Sequence, residues 1–193
     1  MFKSIVLAAA WAAASLSPAA NAAETWVFDK AHTQVLFTVN HLGFTDLTGQ
    51  FRGIEGELKL DRETIANSSV VAVIRADSVD MNHEGINKHL RNADFFNVES
   101  FPELRFESTS VEAAGENGLS VAGNLTMLGQ THPVTLAVTI NQIGAHPMSG
   151  KPHAGFTATG SLKRSDWGMA YLAGPVGDEI AIRINIEADP AAE

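Results

Sequence analysis

The segment IAIRINI, residues 180–186, places isoleucine at every second position, with alanine, arginine or asparagine between. Successive side chains of a β-strand point to opposite faces, so this alternation predicts a strand with one apolar and one polar face. The same period of two recurs in residues 33–39, 119–127 and 134–140. The chain is therefore predicted to be all-β and antiparallel.

Further alternating segments complete a set of eight strands, with turn residues such as Asn117-Gly118 at several of the joins. The predicted strands are 33–39, 50–60, 69–77, 104–112, 119–127, 134–140, 154–163 and 180–186, with 26–30 as a short leader. Eight such strands can form a two-sheet sandwich or close into a barrel. We favour the barrel, because closure leaves no unpaired edge.

Glycines alternate with large apolar residues on the predicted inward faces, as in Phe51-x-Gly53 and Val121-x-Gly123-x-Leu125. In a barrel, such glycines either let a strand bend sharply or leave space that no side chain fills. The first interpretation is strand curvature alone. The second is a long apolar cavity, and such a cavity implies a ligand.

The N-terminus, residues 1–22, has one lysine, a short apolar run and the sequence Ala20-Asn21-Ala22 before a predicted cleavage site. This order is typical of a secretory signal peptide, and the apolar run is too short to span a bilayer, which needs about 20 apolar residues. We expect a cleavable signal peptide, a periplasmic location, no stable membrane insertion, and one domain over residues 23–193.

The composition excludes several classes of function. Cysteine is absent, so disulfides, thiolate metal sites and a cysteine nucleophile are excluded. There are 13 basic and 22 acidic side chains, a net charge of −9, and the basic residues form no cluster that could follow a phosphate backbone. We therefore expect no nucleic-acid partner.

One short α-helix is predicted near residues 82–92, where Ile86 and Leu90 stand four positions apart and Asp80 or Asn82 can cap the start. The segment HLRNADFFNVESFPELRF, residues 89–106, follows directly. Its aromatic side chains cannot all face water, so we expect them to close one end of the barrel. The aromatic residues expected there are Phe95, Phe96 and Phe101, with His89, Arg91 and Asp94 as a polar collar around them.

Several short motifs in a fixed order cover essentially all of the chain after residue 23. They are Asp29-x-x-His32, Val35-x-Phe37-x-Val39-x-His41-Leu42-Gly43, Thr48-Gly49-x-Phe51, His89-Leu90-Arg91-Asn92-x-Asp94-Phe95-Phe96, Phe101-Pro102, Phe106-x-Ser108, Gly123-x-Leu125-Thr126 and Arg164-x-Asp166-x-Gly168. Together they closely resemble the YceI-like family of secreted bacterial proteins. The family often has serine after the first histidine, where this chain has Thr33.

The resemblance implies a lipocalin-like barrel around a long apolar cavity that holds a polyisoprenoid or related amphiphilic lipid. Isoprenoid quinone, polyprenyl phosphate and a fatty amide all fit this class, and no cofactor is expected apart from such a bound lipid. The function expected on this basis is a non-enzymatic carrier or store. The sequence leaves open the lipid's identity and the oligomeric state, a homodimer included.

The candidate ligand-binding residues combine apolar side chains of the expected lining with polar side chains that could meet a lipid head group. They are Phe37, Phe51, His89, Arg91, Asp94, Phe95, Phe96, Val121, Leu125, Phe156 and Arg164. The apolar ones are expected to supply most of the affinity, since apolar burial contributes about 25 cal/mol per Å².

Two other interpretations compete for the polar residues. A hydrolase could use His89 and Asp94 as an acid/base pair, although no nucleophile motif accompanies them. Alternatively these residues are structural. Arg91 and Asp94 then pair with each other or bond unpaired backbone groups near the helix end, and Arg164 pairs with Asp166. No metal site is expected, because the seven histidines show no metal-binding spacing.

Overall fold

A computed structural model describes residues 23–192 of the chain. The predicted signal peptide, residues 1–22, lies outside these residues. Across the described part of the chain, no helix is both long enough and apolar enough to cross a membrane.

Residues 23–192 form eleven strands and one α-helix, together with three short 3-10 helices at 65–67, 76–78 and 164–167. The strands are β1 (Glu24–Phe28), β2 (Gln34–His41), β3 (Thr45–Phe51), β4 (Ile54–Leu60), β5 (Ser69–Arg75), β6 (Val79–Asp80), β7 (Glu103–Ala113), β8 (Gly118–Met127), β9 (Gln130–Ala145), β10 (Pro152–Lys163) and β11 (Val176–Pro190). The helix α1 is Glu84–Arg91.

Eight strands form a closed ring in the order β1-β4-β5-β7-β8-β9-β10-β11, because β1 pairs with both β4 and β11. The strand pairings are antiparallel throughout. Strands β2, β3 and β6 continue the wall at one end. Strand β2 pairs with the first part of β11, and the last residues of β11 pair with β1. The predicted eight-stranded antiparallel barrel is confirmed, and the sandwich is wrong.

The predicted strand 50–60 is wrong as a single element, because the chain bends at Arg52 and Gly53 between β3 and β4. The backbone N–H of Arg52 donates to the carbonyl of Ser78 (3.2 Å), and that of Arg75 donates to the carbonyl of Gly53 (2.8 Å). These bonds hold the bend and let the two halves take different partners. Strand β3 pairs with β2 and β6, whereas β4 pairs with β1 and β5.

The inward faces of the ring strands follow the predicted alternation. On β8, Val121 and Leu125 are buried, and Val121 lies opposite Leu136 of β9, which is also buried. The predicted leader strand 26–30 is a full member of the ring, as β1, with Trp26 among the most deeply buried side chains.

Gly123 on β8 makes room for an aromatic ring rather than for empty space. A Cβ atom on Gly123 would overlap the ring of Phe106 and lie 2.6 Å from the carbonyl oxygen of Glu107. Gly53 lies in the bend and not on an inward face. Close aromatic packing therefore fills the space beside Gly123, and this glycine does not itself open a cavity.

The helix α1 lies inside the predicted range 82–92, but its N-cap is His83 and neither Asp80 nor Asn82. The Nδ1 atom of His83 accepts a hydrogen bond from the first turn of the helix. The carboxylate of Asp80 instead accepts several hydrogen bonds that tie the start of the helix to the barrel wall.

Candidate functional site

A long apolar cavity of about 250 Å³ lies inside the barrel, and every strand of the ring contributes to its lining. Along β11 the lining extends from Val176 to Ile186, which is about 33 Å of strand at roughly 3.3 Å per residue. The polar side chains in the lining are Ser68, Ser69 and Arg164. Such a cavity suits a long, unbranched or methyl-branched apolar chain.

The alternating isoleucines of β11 form one wall of this cavity. Ile180, Ile182, Ile184 and Ile186 all line it. Each is only half-buried although it stands in the middle of a long paired strand. Their remaining exposure arises because they face open space rather than a filled core.

The structure places most of the predicted ligand-binding residues in the lining. These are Phe37, Phe51, Phe95, Phe96, Val121, Leu125, Phe156 and Arg164. It adds Met169 and Ser68, which no sequence pattern singled out. Met169 follows the turn after β10, so only the folded chain shows that it reaches the barrel interior.

The segment after α1 contributes two buried aromatic rings, Phe95 and Phe96, to the lining of the cavity. The ring of Phe96 lies edge-on to that of Phe51 at a centroid distance of 5.3 Å, and the ring of Phe95 lies edge-on to Tyr171 at 5.6 Å. Phe95 and Phe96 are each 9% exposed. Phe101 is only half-buried and stands outside the lining, against Gly129 of the β8–β9 turn. Its expected burial in the plug is therefore wrong.

The predicted polar collar lies outside the cavity, since His89, Arg91 and Asp94 do not line it. The ring of His89 packs against Phe95 at 5.0 Å, and its Nε2 atom lies 3.5 Å from the carboxylate of Asp94. Arg91 donates to the carbonyl of Asp77 at 2.9 Å. Of the two structural arrangements expected for Arg91, the pair with Asp94 is wrong. Arg91 bonds backbone carbonyls instead, those of Asp77 and Val79 rather than those at the helix end.

Arg164 holds the loop that borders the cavity, and the predicted pair with Asp166 is wrong. Its side chain is 3% exposed. Its guanidinium donates to four backbone carbonyls, those of Met169 (2.8 Å), Tyr171 (2.9 Å), Val176 (3.1 Å) and Gly177 (3.0 Å). Four of its five N–H donors are therefore used by the protein itself.

The electrostatics around Arg164 agree with a structural role. Burial lowers the pKa of Arg164, and the nearby carboxylate of Asp178 opposes this shift. The pKa of Asp178 is lowered chiefly because the Ser165 hydroxyl donates to it at 2.7 Å. A phosphate or carboxylate head group would have to displace backbone acceptors to reach the Arg164 side chain fully.

A second group of ionisable side chains lies away from the cavity, where β1 and β10 meet β11. The donor atoms of Asp29, His32 and Glu187 lie within 4.8 Å of one another, and His153 also contacts Glu187. The spacing of the histidines in the sequence did not predict this group. Sequence spacing missed the group because strand pairing joins residues more than a hundred positions apart.

The pKa values in this group are shifted by mutual hydrogen bonding. The pKa of Asp29 is lowered chiefly by its hydrogen bond with His32, which in turn raises the pKa of His32. The pKa of His153 is raised by hydrogen bonds to Asp189 and then to Glu187, while partial burial opposes the shift.

Comparison with known proteins decides the family. The model of the YceI-like domain matches residues 26–188, which include all eight ring strands almost completely. The chain belongs to the YceI-like family. It is 39% identical over 156 residues to Protein YceI of Salmonella arizonae, and the alignment covers 81% of each chain.

Solved structures share this YceI-like barrel. BcnA of Burkholderia cenocepacia superposes with a TM-score of 0.72 at 25% identity, over 83% of this chain and 98% of that one. A polyisoprenoid binding domain from Saccharophagus degradans superposes with a TM-score of 0.62 at 13% identity, over 86% of this chain and 98% of that one. The second likeness shows the fold alone.

Proposed function

We propose that this YceI-like chain is a non-enzymatic carrier or store for a long-chain amphiphilic lipid, such as an isoprenoid quinone or a polyprenyl phosphate, in the bacterial periplasm. The elongated apolar cavity, lined along the inner face of β11 from Val176 to Ile186, supports this function most directly. Transfer of an apolar chain from water into such a space is favourable by about 25 cal/mol per Å² buried.

The relatives support the same class of ligand. The Saccharophagus degradans domain with this fold is described as polyisoprenoid binding, and a closed barrel that shields a long apolar chain from water would serve that purpose here. The periplasmic location rests on the predicted signal peptide of residues 1–22.

The hydrolase alternative has weaker support from the site. His89 and Asp94 are nearly half exposed and 3.5 Å apart, and neither faces the cavity where a lipid would lie. Among residues 23–192, the neighbours of the His89 ring are the aromatic rings of Phe95 and Tyr171, and no serine or threonine hydroxyl hydrogen-bonds it. This arrangement lacks the activated nucleophile that ester hydrolysis by such a pair needs.

Filling the cavity tests the carrier proposal. Ala158 of β10 is 2% exposed and lines the cavity, so Ala158→Phe places a ring where the lipid chain would lie. We expect binding of an isoprenoid quinone to weaken by about tenfold or more, which corresponds to about 1.4 kcal/mol. The measurement is a titration that follows quenching of the fluorescence of Trp26 and Trp167, both deeply buried.

Ala137→Phe is the matched control, because Ala137 lies on neighbouring β9 with its side chain exposed on the outside of the barrel. It should bind the quinone like the unmodified protein. Circular dichroism establishes that both variants fold. Equal binding by folded Ala158→Phe, or equal loss in both variants, would show that the quinone does not occupy the cavity.

A further inference from the structure

We propose that Asp29, His32, His153 and Glu187 form a binding site for a divalent transition-metal ion of the zinc type, on the outside of the barrel where its first and last strands meet. The donor atoms are Oδ2 of Asp29, Nδ1 of His32, Nε2 of His153 and Oε2 of Glu187. Two imidazole nitrogens with two carboxylate oxygens are a donor set that suits Zn²⁺. This site is separate from the lipid cavity, so zinc binding there would not depend on whether a lipid is bound.

The ligand atoms of Asp29, His32 and Glu187 all lie within 4.8 Å of one another, and Nε2 of His153 reaches this group through its contact with Glu187. Nδ1 of His32 lies 2.7 Å from Oδ2 of Asp29 and 3.8 Å from Oε2 of Glu187, and the same Glu187 oxygen lies 2.9 Å from Nε2 of His153. Ligand atoms at 2.0–2.2 Å from a tetrahedral zinc ion are about 3.3–3.6 Å apart. The ion would replace the protons that now join these pairs, and small rotations of the side chains would open the shorter gaps.

The backbone that carries the four side chains is rigid. The N–H of Asp29 donates to the carbonyl of Glu187 at 2.8 Å. Strand β10, which carries His153, pairs with β11 directly beside this point, at Ala154 and Ala188. Three segments that are distant in sequence are therefore fixed next to one another by the sheet, so little backbone conformational entropy remains to be lost on binding.

His153 has the outer-sphere partner that is typical of a metal ligand. Its Nδ1 atom is hydrogen-bonded to Oδ1 of Asp189 at 2.9 Å, while its Nε2 atom points to Glu187. A carboxylate on the far nitrogen fixes the tautomer and the ring orientation and makes the other nitrogen a better ligand. The side chain of His153 is 18% exposed, so its ring has little freedom to turn away.

Such an ion would join the chain segment after β1 to β10 and β11, at the point where the ring closes. Because a ligand bound only by the folded state stabilises that state, zinc should raise the midpoint of thermal unfolding. The proposed role is therefore to stabilise the closure of the barrel.

The test is isothermal titration calorimetry of chelator-treated, redialysed protein with zinc chloride, together with thermal unfolding with and without zinc. We expect one zinc ion per chain and a higher unfolding midpoint. His32→Ala and His153→Ala should each weaken zinc binding by more than about tenfold, and Asp189→Asn by about 10- to 100-fold. His32 is 63% exposed, so its replacement should leave the fold intact.

His41→Ala is the control, since His41 pairs with Val176 at the opposite end of β11. It should bind zinc as the unmodified protein does. The proposal is overturned if no stoichiometric binding occurs, if His32→Ala and His153→Ala bind zinc unchanged, or if His41→Ala loses binding equally. Any of these results would leave the group as a set of hydrogen-bonded ion pairs without a metal.

Discussion

Replacing Arg164 with methionine is expected to lower the free energy of unfolding by about 3 to 5 kcal/mol. Methionine has a similar length but no donors, so the carbonyls of Met169, Tyr171, Val176 and Gly177 lose the hydrogen bonds of 2.8 to 3.1 Å that Arg164 now donates. Such an acceptor, left unsatisfied in a buried position, costs about 1 to 3 kcal/mol. Urea denaturation followed by circular dichroism measures the effect.

Arg183→Met is the matched control, because Arg183 lies exposed on the outer face of β11. Its replacement should change stability by less than about 0.5 kcal/mol. If Arg164→Met were as mild as Arg183→Met, the loop 169–177 would not depend on the guanidinium. Arg164 would then again be a candidate for contact with a lipid head group.

Replacing Phe96 with alanine is expected to destabilise the barrel by about 3 to 5 kcal/mol and to speed the release of bound lipid. Phe96 is 9% exposed, lines the cavity and packs edge-on against Phe51 at 5.3 Å. Removing the ring both loses buried apolar surface and opens a path to solvent. Denaturant unfolding measures the stability, and transfer of a fluorescent lipid from the protein to vesicles measures the rate of release.

Phe44→Ala removes the same ring from a side chain that is 89% exposed, in the turn between β2 and β3. It should leave both stability and release close to those of the unmodified protein. A Phe96→Ala variant that unfolds at the same denaturant concentration as Phe44→Ala, and releases lipid no faster, would show that the segment after α1 does not close the cavity.

The strand content could be predicted because the alternation that sets a strand's two faces is local in sequence. Ile180, Ile182, Ile184 and Ile186 are inward in the structure as their spacing indicates. The barrel followed from strand number and from the need to avoid open edges. The phenylalanines 95 and 96 could be placed in the closure for a similar local reason, since two adjacent rings after a short helix need burial.

The hydrogen-bond partners of the polar side chains could not be predicted, because they depend on strand register and on backbone groups that every residue carries. Arg164 was expected to pair with Asp166, but its acceptors are carbonyls, which every residue carries. His153 meets Glu187 only through the register of β10 with β11. The bend at Arg52 and Gly53 likewise depends on carbonyl and amide partners beyond β4.

The central claim is that the cavity holds a long-chain lipid, and native mass spectrometry of the protein purified from the organism that makes it tests this most directly. We expect a bound species at close to one per chain, which solvent extraction identifies as an amphiphile with a long isoprenoid or alkyl chain. Protein that is recovered without lipid, takes up none from vesicles that contain isoprenoid quinone, and turns over ester or phosphate substrates would contradict the account.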